Sequence, residues 1–555
     1  MHELPGVIEQ YGLAPQARAI AANASHVVFA APEVRAGFER YAPLAAAQAR
    51  IRPQGLYKRN ALATRAGRQQ ARQGLRAKLG LDADARVVLG VGYADLRKGA
   101  DCFVAIGRQV MASDPRAHFA WVGHPDLALQ EQLSDAIARS GFAGRFHFVG
   151  RDPDTDMYYA GADLYALTSR EDPYPSVVME AFDAGLPVVG FRGAGGFDTL
   201  IEQLGGGLVA MGDGDAFAQR VTQLLADPAR SAALGAQARD FVQRERSFRH
   251  YALDLLDMLG IGLPRVSVVV PNYNYARYLP ERLQSIAGQS LPPYEIIVLD
   301  DASSDDSRAV IDSLQHRHGL RVAANERNSG SVFRQWLKGV ELATGDYVWI
   351  AEADDLSEPG FLETVMRAFA DPAVVMSYCQ SQQIDAEGAL LAGDYLDYVA
   401  DISSERWRNA YVADGLDEVR NGMAVKNTIP NVSAVVFRRD ALLQALAGDC
   451  EQIAQFRIAG DWLTYLRLLE RGSVAFEPAA LNKHRRHASG VTLGAHHSPH
   501  LREVLRVQKI ARERYRVAEA EQPAWDYADR LYRQFGLSTR DAPTLGDCRD
   551  LMENP

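Results

Sequence analysis

Residues 347–355 read YVWIAEADD and pass from a hydrophobic run directly into three carboxylates, Glu352, Asp354 and Asp355. The first five residues are apolar or aromatic, a composition that is typical of a buried strand. Carboxylates this close together repel one another, and burying them is costly unless they are paired or bind a metal. The stretch therefore predicts a buried strand that ends at a site for a cation.

The overall composition is that of a globular protein and excludes several function classes. A chain of 555 residues favours more than one domain, and 47% hydrophobic with 23% charged residues are ordinary proportions. The formal net charge of −10 argues against a general nucleic-acid binder. Zinc ribbons and disulfide frameworks are not expected, because the sequence has no CxxC pair and its cysteines are far apart, at Cys102, Cys379, Cys450 and Cys548.

The sequence also indicates where the protein resides. The N-terminal segment MHELPGVIEQYGLAPQ has acids where a signal peptide needs basic residues followed by an apolar run. No apolar stretch in the sequence is long enough to span a bilayer. We therefore expect a cytoplasmic protein.

Two consecutive parts of the chain alternate strands with helices. From about Arg86, short hydrophobic segments such as RVVLGVGYA and LPVVGF are separated by helical segments such as SVVMEAFDAG. The pattern pauses at IGLPR, residues 261–265, and starts again with VSVVVPNYN, YEIIVLDD and YVWIAEADD. Continuous hydrophobic strands that alternate with helices predict parallel sheets covered on both faces. The fold class is therefore α/β, with two modules and a helical C-terminal tail.

Polar residues follow three strands of the second module. In open α/β sheets, ligands bind beyond the carboxyl ends of the strands. Carboxylates that converge there beside an aromatic ring fit a nucleotide whose diphosphate is bridged to protein by Mg²⁺ or Mn²⁺. The residues concerned are Pro271 and Tyr273 after the first strand, Asp300 and Asp301 after the second, and the three acids of residues 352–355.

Four segments of this module resemble glycosyltransferase family 2, whose fold is GT-A. They are VSVVVPNYNYARYLPERLQSI, YEIIVLDDASSDDS, NSGSVFRQWLKGVELATGDYVWIAEADD and GDWLTYLRLLERG, in this order over about 266–492. The resemblance implies metal-dependent, inverting transfer of a sugar from a nucleotide-diphospho-sugar. It places the DxD metal motif on Glu352-Ala353-Asp354, with Asp355 following.

The same resemblance implies roles for individual donor-site residues. Tyr273 would lie against the nucleotide base, Pro271 would belong to the same nucleotide-sugar site, and Asp300 or Asp301 would hold the base or the ribose. Arg334 falls where a basic residue near the diphosphate is expected. Taken alone, LDDASSDD is equally consistent with an Asp-rich turn and helix cap.

Two further residues have implied roles nearer the reaction. Asp461, in GDWLTY, corresponds to the general base, although an Asp before an apolar helix is often only an N-cap. His487, in HRRHASGVT, corresponds to a residue that contacts the diphosphate or the metal. HRRH is also consistent with a solvated basic strip.

The first module resembles the nucleotide-binding half of glycosyltransferase family 4, a GT-B family. The segments are VGYADLRKGADCF and VGRDPDTDMYYAGADLYALTSREDPYPSVVMEAFDAGLPVVGFRGAGG, within about 86–245. The resemblance implies that Lys98 binds the diphosphate, Asp172 the donor sugar and Glu180 the ribose. The basic residue expected earlier in the first loop is absent, and Tyr93 stands near its place.

The first module corresponds to only half of a GT-B enzyme. The missing N-terminal domain needs on the order of 100 residues or more. We expect 1–60 to be a remnant of that domain with a linker, 61–260 the GT-B nucleotide-sugar-binding domain, 261–499 the GT-A catalytic domain and 500–555 a helical tail. Either the enzyme is naturally half-missing, or the sequence begins inside a longer protein.

These expectations combine into a two-module glycosyltransferase in which the second module is active and the first binds a donor. The resemblance implies a glycan or lipid-linked glycan acceptor in bacterial surface polysaccharide assembly, such as O-antigen or capsule. A lipid-linked acceptor implies peripheral contact with the inner face of the cell membrane, through the basic helix LREVLRVQKIARERYR.

Two alternatives belong to other classes. One is a catalytically inactive scaffold that binds nucleotide sugars, and the presence of Asp354 and Asp461 argues against it. The other is a nucleotidyltransferase, which needs a Gly-rich basic loop after its first strand, where this chain has PNYNYARYL.

Overall fold

The computed structural model describes residues 5–487 and 497–548. The chain divides into two units, Met1–Leu263 and Pro264–Pro555, and each unit is a sheet flanked by helices. The α/β class predicted from the alternating pattern is confirmed in both.

The first unit is built on a six-stranded parallel sheet with the order β5-β4-β3-β6-β7-β8, beside a two-stranded sheet of β1 and β2. The strand order reverses between β3 and β6, so the loops after these two strands meet in one crevice. The strands are β1 Val27–Phe29, β2 Ala49–Ile51, β3 Arg86–Val91, β4 Ala117–Val122, β5 Phe146–Gly150, β6 Leu164–Leu167, β7 Val188–Phe191 and β8 Gly207–Val209.

The helices of the first unit cover its sheets and have recognisable end signals. The Thr64 side chain accepts a hydrogen bond from the Gly67 N–H where one helix begins, and Gly80 ends the same helix in the left-handed conformation. The helices are Pro5–Gln10, Ala14–Asn23, Pro32–Glu39, Arg65–Leu79, Ala100–Ser113, Leu127–Arg139, Thr155–Gly161, Ser176–Asp183, Asp198–Leu204, Gly214–Ala226, Pro228–Glu245 and Phe248–Met258.

The second unit is built on a ten-stranded mixed sheet. Its main path is β11-β10-β9-β12-β17-β14-β18-β13, with β15 paired to β14 and β16 to β18. Strands β9 to β12 are parallel, whereas β17 is antiparallel to β12 and β14. The strands are β9 Val266–Asn272, β10 Glu295–Asp300, β11 Arg321–Ala324, β12 Tyr347–Ile350, β13 Leu356–Ser357, β14 Val374–Ile384, β15 Leu390–Ala392, β16 Tyr411–Ala413, β17 Val435–Arg438 and β18 Ser473–Arg485.

Helices pack closely on both faces of this second sheet. A Cβ atom at Gly339 would lie 2.3 Å from Val269 Cγ1, so the glycine permits close contact between a helix and β9. The helices are Leu279–Ala287, Ser307–His318, Val332–Leu342, Phe361–Met366, Leu396–Val399, Gly415–Glu418, Arg439–Ile453, Gly460–Leu469, His497–Tyr515 and Glu521–Gln534. Every residue of β9 is buried, as a parallel strand covered on both faces requires.

The predicted C-terminal tail is an integral part of the second unit. Val504, Val507, Ala511 and Ala520 are buried in the main hydrophobic core of this unit. The apolar face of the His497–Tyr515 helix is therefore used for packing rather than offered to a membrane. Nowhere in residues 5–487 or 497–548 does a helix combine the length and the apolar character that crossing a bilayer requires.

Candidate active site

A cavity of about 990 Å³ lies at the carboxyl ends of β9, β10 and β12 in the second unit. The strand order reverses around β9, so residues distant in sequence meet there. Of the residues predicted from the sequence, those that line the cavity are Pro271, Tyr273, Asp301, Glu352, Asp354, Asp355, Asp461 and His487. Asp300 and Arg334 are not among its lining residues.

Two of the three clustered acids, Glu352 and Asp354, each have an aromatic side chain as a partner. Trp336 Nε1 donates a hydrogen bond to Glu352 Oε1 at 3.1 Å, and His487 Nε2 lies 3.0 Å from Asp354 Oδ2. Burial first, and the charge of Asp354 second, raise the pKa of Glu352 to about 8. The charge of Asp354 thus adds to burial in destabilising the ionised form of Glu352.

The third acid, Asp355, is held entirely by the protein. Its Oδ2 accepts a hydrogen bond from Asn431 Nδ2 at 2.8 Å, and its Oδ1 accepts one from the Arg485 backbone N–H at 2.9 Å. The residue is only 1% exposed. Both oxygens are thus engaged in fixing the loop that presents Glu352 and Asp354.

A buried arginine supplies part of the positive charge that the acids require. Arg282, on the Leu279–Ala287 helix, is fully buried, and its guanidinium lies 5.0 Å from the Trp349 ring. Burial lowers the pKa of Arg282 to about 10, while the nearby charges of Asp355, Asp354 and Glu352 oppose that shift. Sequence reasoning missed this residue, because PERLQSI is typical of an ordinary amphipathic helix.

The acids fit a divalent cation bound together with phosphate. Among the described residues, no group of three or more His, Cys, Asp or Glu side chains is arranged as a complete metal-ligand set. Magnesium usually binds through one or two carboxylates plus substrate phosphates, so Glu352 and Asp354 suffice on the protein side. Burial first, and the charge of Asp354 second, raise the pKa of Glu352, and a cation bound here would stabilise its ionised carboxylate.

The two acids after β10 have different surroundings. Asp301 accepts hydrogen bonds from the side chains of Asn325, Ser329 and Gln335, at 2.6, 2.7 and 3.1 Å. It therefore organises the loop that borders the cavity. Asp300 is buried behind it, within 3.0 Å of Asn272 Nδ2. The ring of Tyr273 is about half exposed at the cavity edge, as a base-stacking residue would be.

Asp461 lies in the first turn of the Gly460–Leu469 helix, on the cavity wall. Asn427 Nδ2 donates a hydrogen bond to its Oδ2 at 3.1 Å, and the Trp462 N–H donates one to its Oδ1 at 2.6 Å. Burial is the main cause that raises the pKa of Asp461, to about 7. A carboxylate with this pKa is well matched to accept a proton near neutral pH.

The glycine before Asp461 sets the depth of this helix. A Cβ atom at position 460 would lie 2.3 Å from Phe333 Cε2, so a larger residue would push the helix outward. Phe333 itself lines the cavity. Gly460 therefore brings Asp461 to the wall of this cavity.

The basic residues of the cavity differ from the one predicted. Arg334 forms an ion pair with Glu451 at 2.9 Å, on the exposed side of its helix. The arginines that line the cavity are Arg277, Arg457, Arg485 and Arg486. Arg486 and His487 belong to the segment HRRHASGVT, for which the sequence predicts contact with the diphosphate or the metal. Residues 488–492 of this segment lie outside the described residues.

The first unit has its own cavity, of about 1050 Å³, at the crevice where β3 and β6 meet. Lys98 and Asp172 line it and form an ion pair with each other. Arg97, which sequence reasoning did not single out, also lines it, and Tyr93 stands at its edge. A diphosphate bound by Lys98 would therefore compete with Asp172.

Glu180 is placed differently from Lys98 and Asp172. It lies on the Ser176–Asp183 helix and is not among the residues that line this cavity. Burial raises the pKa of Glu180. The structure thus brings two of the three predicted donor-site residues of this unit together.

Comparison with known families gives two matches on this chain. Residues 71–241 match the model of glycosyl transferases group 1, and residues 267–409 match that of glycosyl transferase family 2. An uncharacterized protein of Mycobacterium tuberculosis is 33% identical over 229 residues, which are 41% of this chain and 69% of that protein.

Two further comparisons involve proteins with named activities or ligands. The lipopolysaccharide core biosynthesis glycosyltransferase LpsE of Rhizobium meliloti is 30% identical over 152 residues, 27% of this chain and 43% of that protein. The chain thus spans less than half the length of LpsE. A crystal structure of Anabaena HepE with UDP and glucose is 23% identical, covers 47% of this chain and 70% of HepE, and has a TM-score of 0.43.

Proposed function

The chain belongs to the glycosyltransferases, with a group 1 module followed by a family 2 module, and on this premise we propose that the second unit transfers a sugar from a nucleotide-diphospho-sugar to a glycan hydroxyl. One observation carries the proposal. Glu352 and Asp354 line the same cavity as Asp461, although Asp461 follows them by more than 100 residues of sequence.

The donor nucleotide would occupy the side of the cavity near β9 and β10. Tyr273 offers an exposed ring for stacking against the base, and Asp301 fixes the shape of the neighbouring loop. The diphosphate would lie toward Glu352 and Asp354, with His487 and the lining arginines nearby. A divalent metal ion, when bound there, would neutralise charge on the leaving diphosphate.

The proposed reaction is a single in-line displacement that inverts the anomeric carbon. Asp461 accepts the proton of the acceptor hydroxyl as the oxygen attacks, and the nucleoside diphosphate leaves with the electron pair of the broken bond. Asn427 and the Trp462 N–H hold the Asp461 carboxylate in a fixed orientation during this step. Positioning of this kind supplies much of the rate of such reactions.

We place this activity in the assembly of bacterial surface polysaccharides. The similarity to a lipopolysaccharide core glycosyltransferase supports this setting. The acceptor would then be a growing glycan, free or lipid-linked, and the enzyme would work at the cytoplasmic face of the cell membrane. The first unit would bind a nucleotide sugar weakly, because Asp172 already neutralises Lys98.

The decisive experiment measures donor hydrolysis by the full chain across UDP-, GDP- and TDP-sugars, with Mn²⁺ or with EDTA. We expect one nucleotide sugar to be cleaved, and cleavage to stop in EDTA. An Asp354→Asn variant should bind the nucleotide more weakly and lose the metal-dependent cleavage. Binding of a nucleotide sugar without any turnover would favour the scaffold alternative.

A further inference from the structure

The cavity lined by Glu352, Asp354 and Asp461 is here called the donor cavity. A second cavity, here called the C-terminal cavity, adjoins it in the second unit. Its volume is about 850 Å³. Its lining includes Tyr395, Asp397 and Tyr398, together with Tyr527, Gln534 and Phe535 of the C-terminal segment. This segment lies outside residues 267–409, which match the family model.

The two cavities meet at the proposed base. Pro430, Ile458, Asp461 and Arg486 line both of them. A group in the C-terminal cavity therefore lies beside Asp461, whereas Glu352, Asp354 and Asp355 line only the donor cavity. An acceptor bound there would place a hydroxyl near the proposed base and leave the acids free for the leaving diphosphate.

The charges of the C-terminal cavity are balanced. Lys426 is buried, with Nζ 3.8 Å from the Tyr398 ring centroid and 4.6 Å from that of Tyr527. Asp401 pairs with both Lys426 and Arg530. The charged lining residues are Asp397, Asp401, Asp461, Lys426, Arg486 and Arg530, so the cavity has no cationic excess to attract an anionic ligand.

The remaining lining chemistry suits a neutral sugar. Aromatic side chains provide flat apolar surface, while a few polar groups fix the orientation of a ligand. Asp397 and Gln534 are exposed in the cavity, and neither side chain has a hydrogen-bond partner within the part of the chain that the structure describes. A carboxylate and an amide together can accept from and donate to sugar hydroxyls.

We propose that the C-terminal cavity binds the terminal neutral sugar of the acceptor glycan, and that the Glu521–Gln534 helix forms the wall that selects it. This inference rests on the proposed function of the second unit and adds to it the acceptor subsite. It assigns acceptor choice to the C-terminal segment.

The test fills the cavity without touching the donor site. Gln534→Trp places an indole in the C-terminal cavity, and Gln522→Trp on the same helix is the matched control, since Gln522 is exposed and does not line the cavity. The donor is the nucleotide sugar that the wild type hydrolyses fastest. The acceptor probes are neutral p-nitrophenyl hexosides, with p-nitrophenyl glucuronide as the anionic comparison, and binding is also measured by saturation-transfer NMR.

We expect Gln534→Trp to raise the acceptor KM at least 10-fold and to abolish the NMR signal of the neutral hexosides, while donor hydrolysis without acceptor stays within 2-fold of the wild type. Gln522→Trp should match the wild type in all three measurements. Asp397→Asn, which keeps the shape of the side chain, should also raise the acceptor KM.

Three results would overturn the inference. They are an unchanged acceptor KM in Gln534→Trp, no binding of any neutral hexoside to the wild type, and transfer to the glucuronide alone. These results differ from a failure of the proposed function, in which the wild type would hydrolyse no nucleotide sugar at all.

Discussion

The carboxylate of Glu503 holds the chain directly before the helix that carries Asp461. Its two oxygens accept hydrogen bonds from the backbone N–H groups of Arg457, Ile458 and Ala459, at 2.9, 2.8 and 2.9 Å. Its charge also contributes to the raised pKa of Asp461, after burial as the larger cause. The C-terminal segment therefore holds the chain before the proposed base and adds to its proton affinity.

A Glu503→Gln variant should shift the pH dependence of transfer. Asp461 must be ionised to accept a proton, so the rate should rise with pH through about 7 in the wild type. Removing the Glu503 charge lowers the pKa of Asp461, and the acidic limb of the kcat profile should move to lower pH. The other charged and titratable groups near Asp461 are unchanged in this variant; they include Tyr398, Tyr465, Arg457, Arg486, Glu352 and Asp354.

The control for this measurement is Glu513→Gln, an exposed residue of the same helix. Its kcat profile should coincide with that of the wild type. An acidic limb that stays in place in Glu503→Gln would show that Glu503 does not act on the base.

An Asp461→Asn variant separates a base from a residue that only stabilises the start of its helix. The N-cap of this helix is Ala459, and Asp461 follows in the first turn. Asn keeps the size and one acceptor oxygen of Asp, so a purely structural role predicts nearly unchanged activity. As a base, Asp461 is needed for proton transfer, and its loss should lower kcat by about 10²-fold or more with donor affinity retained. Single-turnover transfer and nucleotide-sugar binding by calorimetry distinguish the two outcomes.

The same variant should be more stable than the wild type at alkaline pH. The Asp461 pKa is about 7 in the folded protein against an ordinary value of 3.8. The folded state therefore binds this proton more tightly, and the free energy of unfolding falls as pH rises between these two values. Thermal melts should show a higher Tm for Asp461→Asn at pH 8 and little difference at pH 4. A lower Tm at pH 8 would contradict the raised pKa.

The metal requirement has its own prediction. Glu352 and Asp354 should bind Mn²⁺ only weakly without donor, because the described protein residues offer an incomplete ligand set. Mn²⁺ affinity measured by electron paramagnetic resonance should increase at least 10-fold when the nucleoside diphosphate is added. The Asp354→Asn variant should lose the metal-dependent cleavage of the donor. Asp371→Asn, on an exposed turn outside the cavity, is the control for this variant. Full transfer in EDTA would exclude the metal role.

Local patterns predicted much of the fold and the acid cluster. Continuous hydrophobic runs such as VSVVVPNYN mark strands covered on both faces, and the topology then gathers the residues that follow them. The convergence of residues 271–273, 301 and 352–355 at one cavity follows from that rule. The expected cation was present in part within the protein, as Arg282.

Long-range side-chain contacts were beyond sequence reasoning. Glu503 occurs in an amphipathic helix, and nothing local shows that its carboxylate reaches the chain at 457–459. The motif predicts that Arg334 lies near the diphosphate, whereas in the structure it pairs with Glu451. The sequence predicts a helical tail at the C-terminus, but it cannot show that one helix face is buried, because that depends on the partner that covers it.

The last prediction concerns the first unit. Lys98 and Asp172 form an ion pair in its cavity, so a bound diphosphate must displace a carboxylate to reach the lysine. Such a site should bind nucleotide sugars weakly and should not determine the product of the second unit. Lys98→Ala in the full chain is therefore expected to give the same glycosidic linkage at a rate within 2-fold of the wild type.

Lys78→Ala, which removes a partly exposed lysine paired with Asp152, is the matched control. Product analysis by NMR provides the measurement. If Lys98→Ala eliminated one of two distinct linkages, the first unit would have to be counted as a second working transferase.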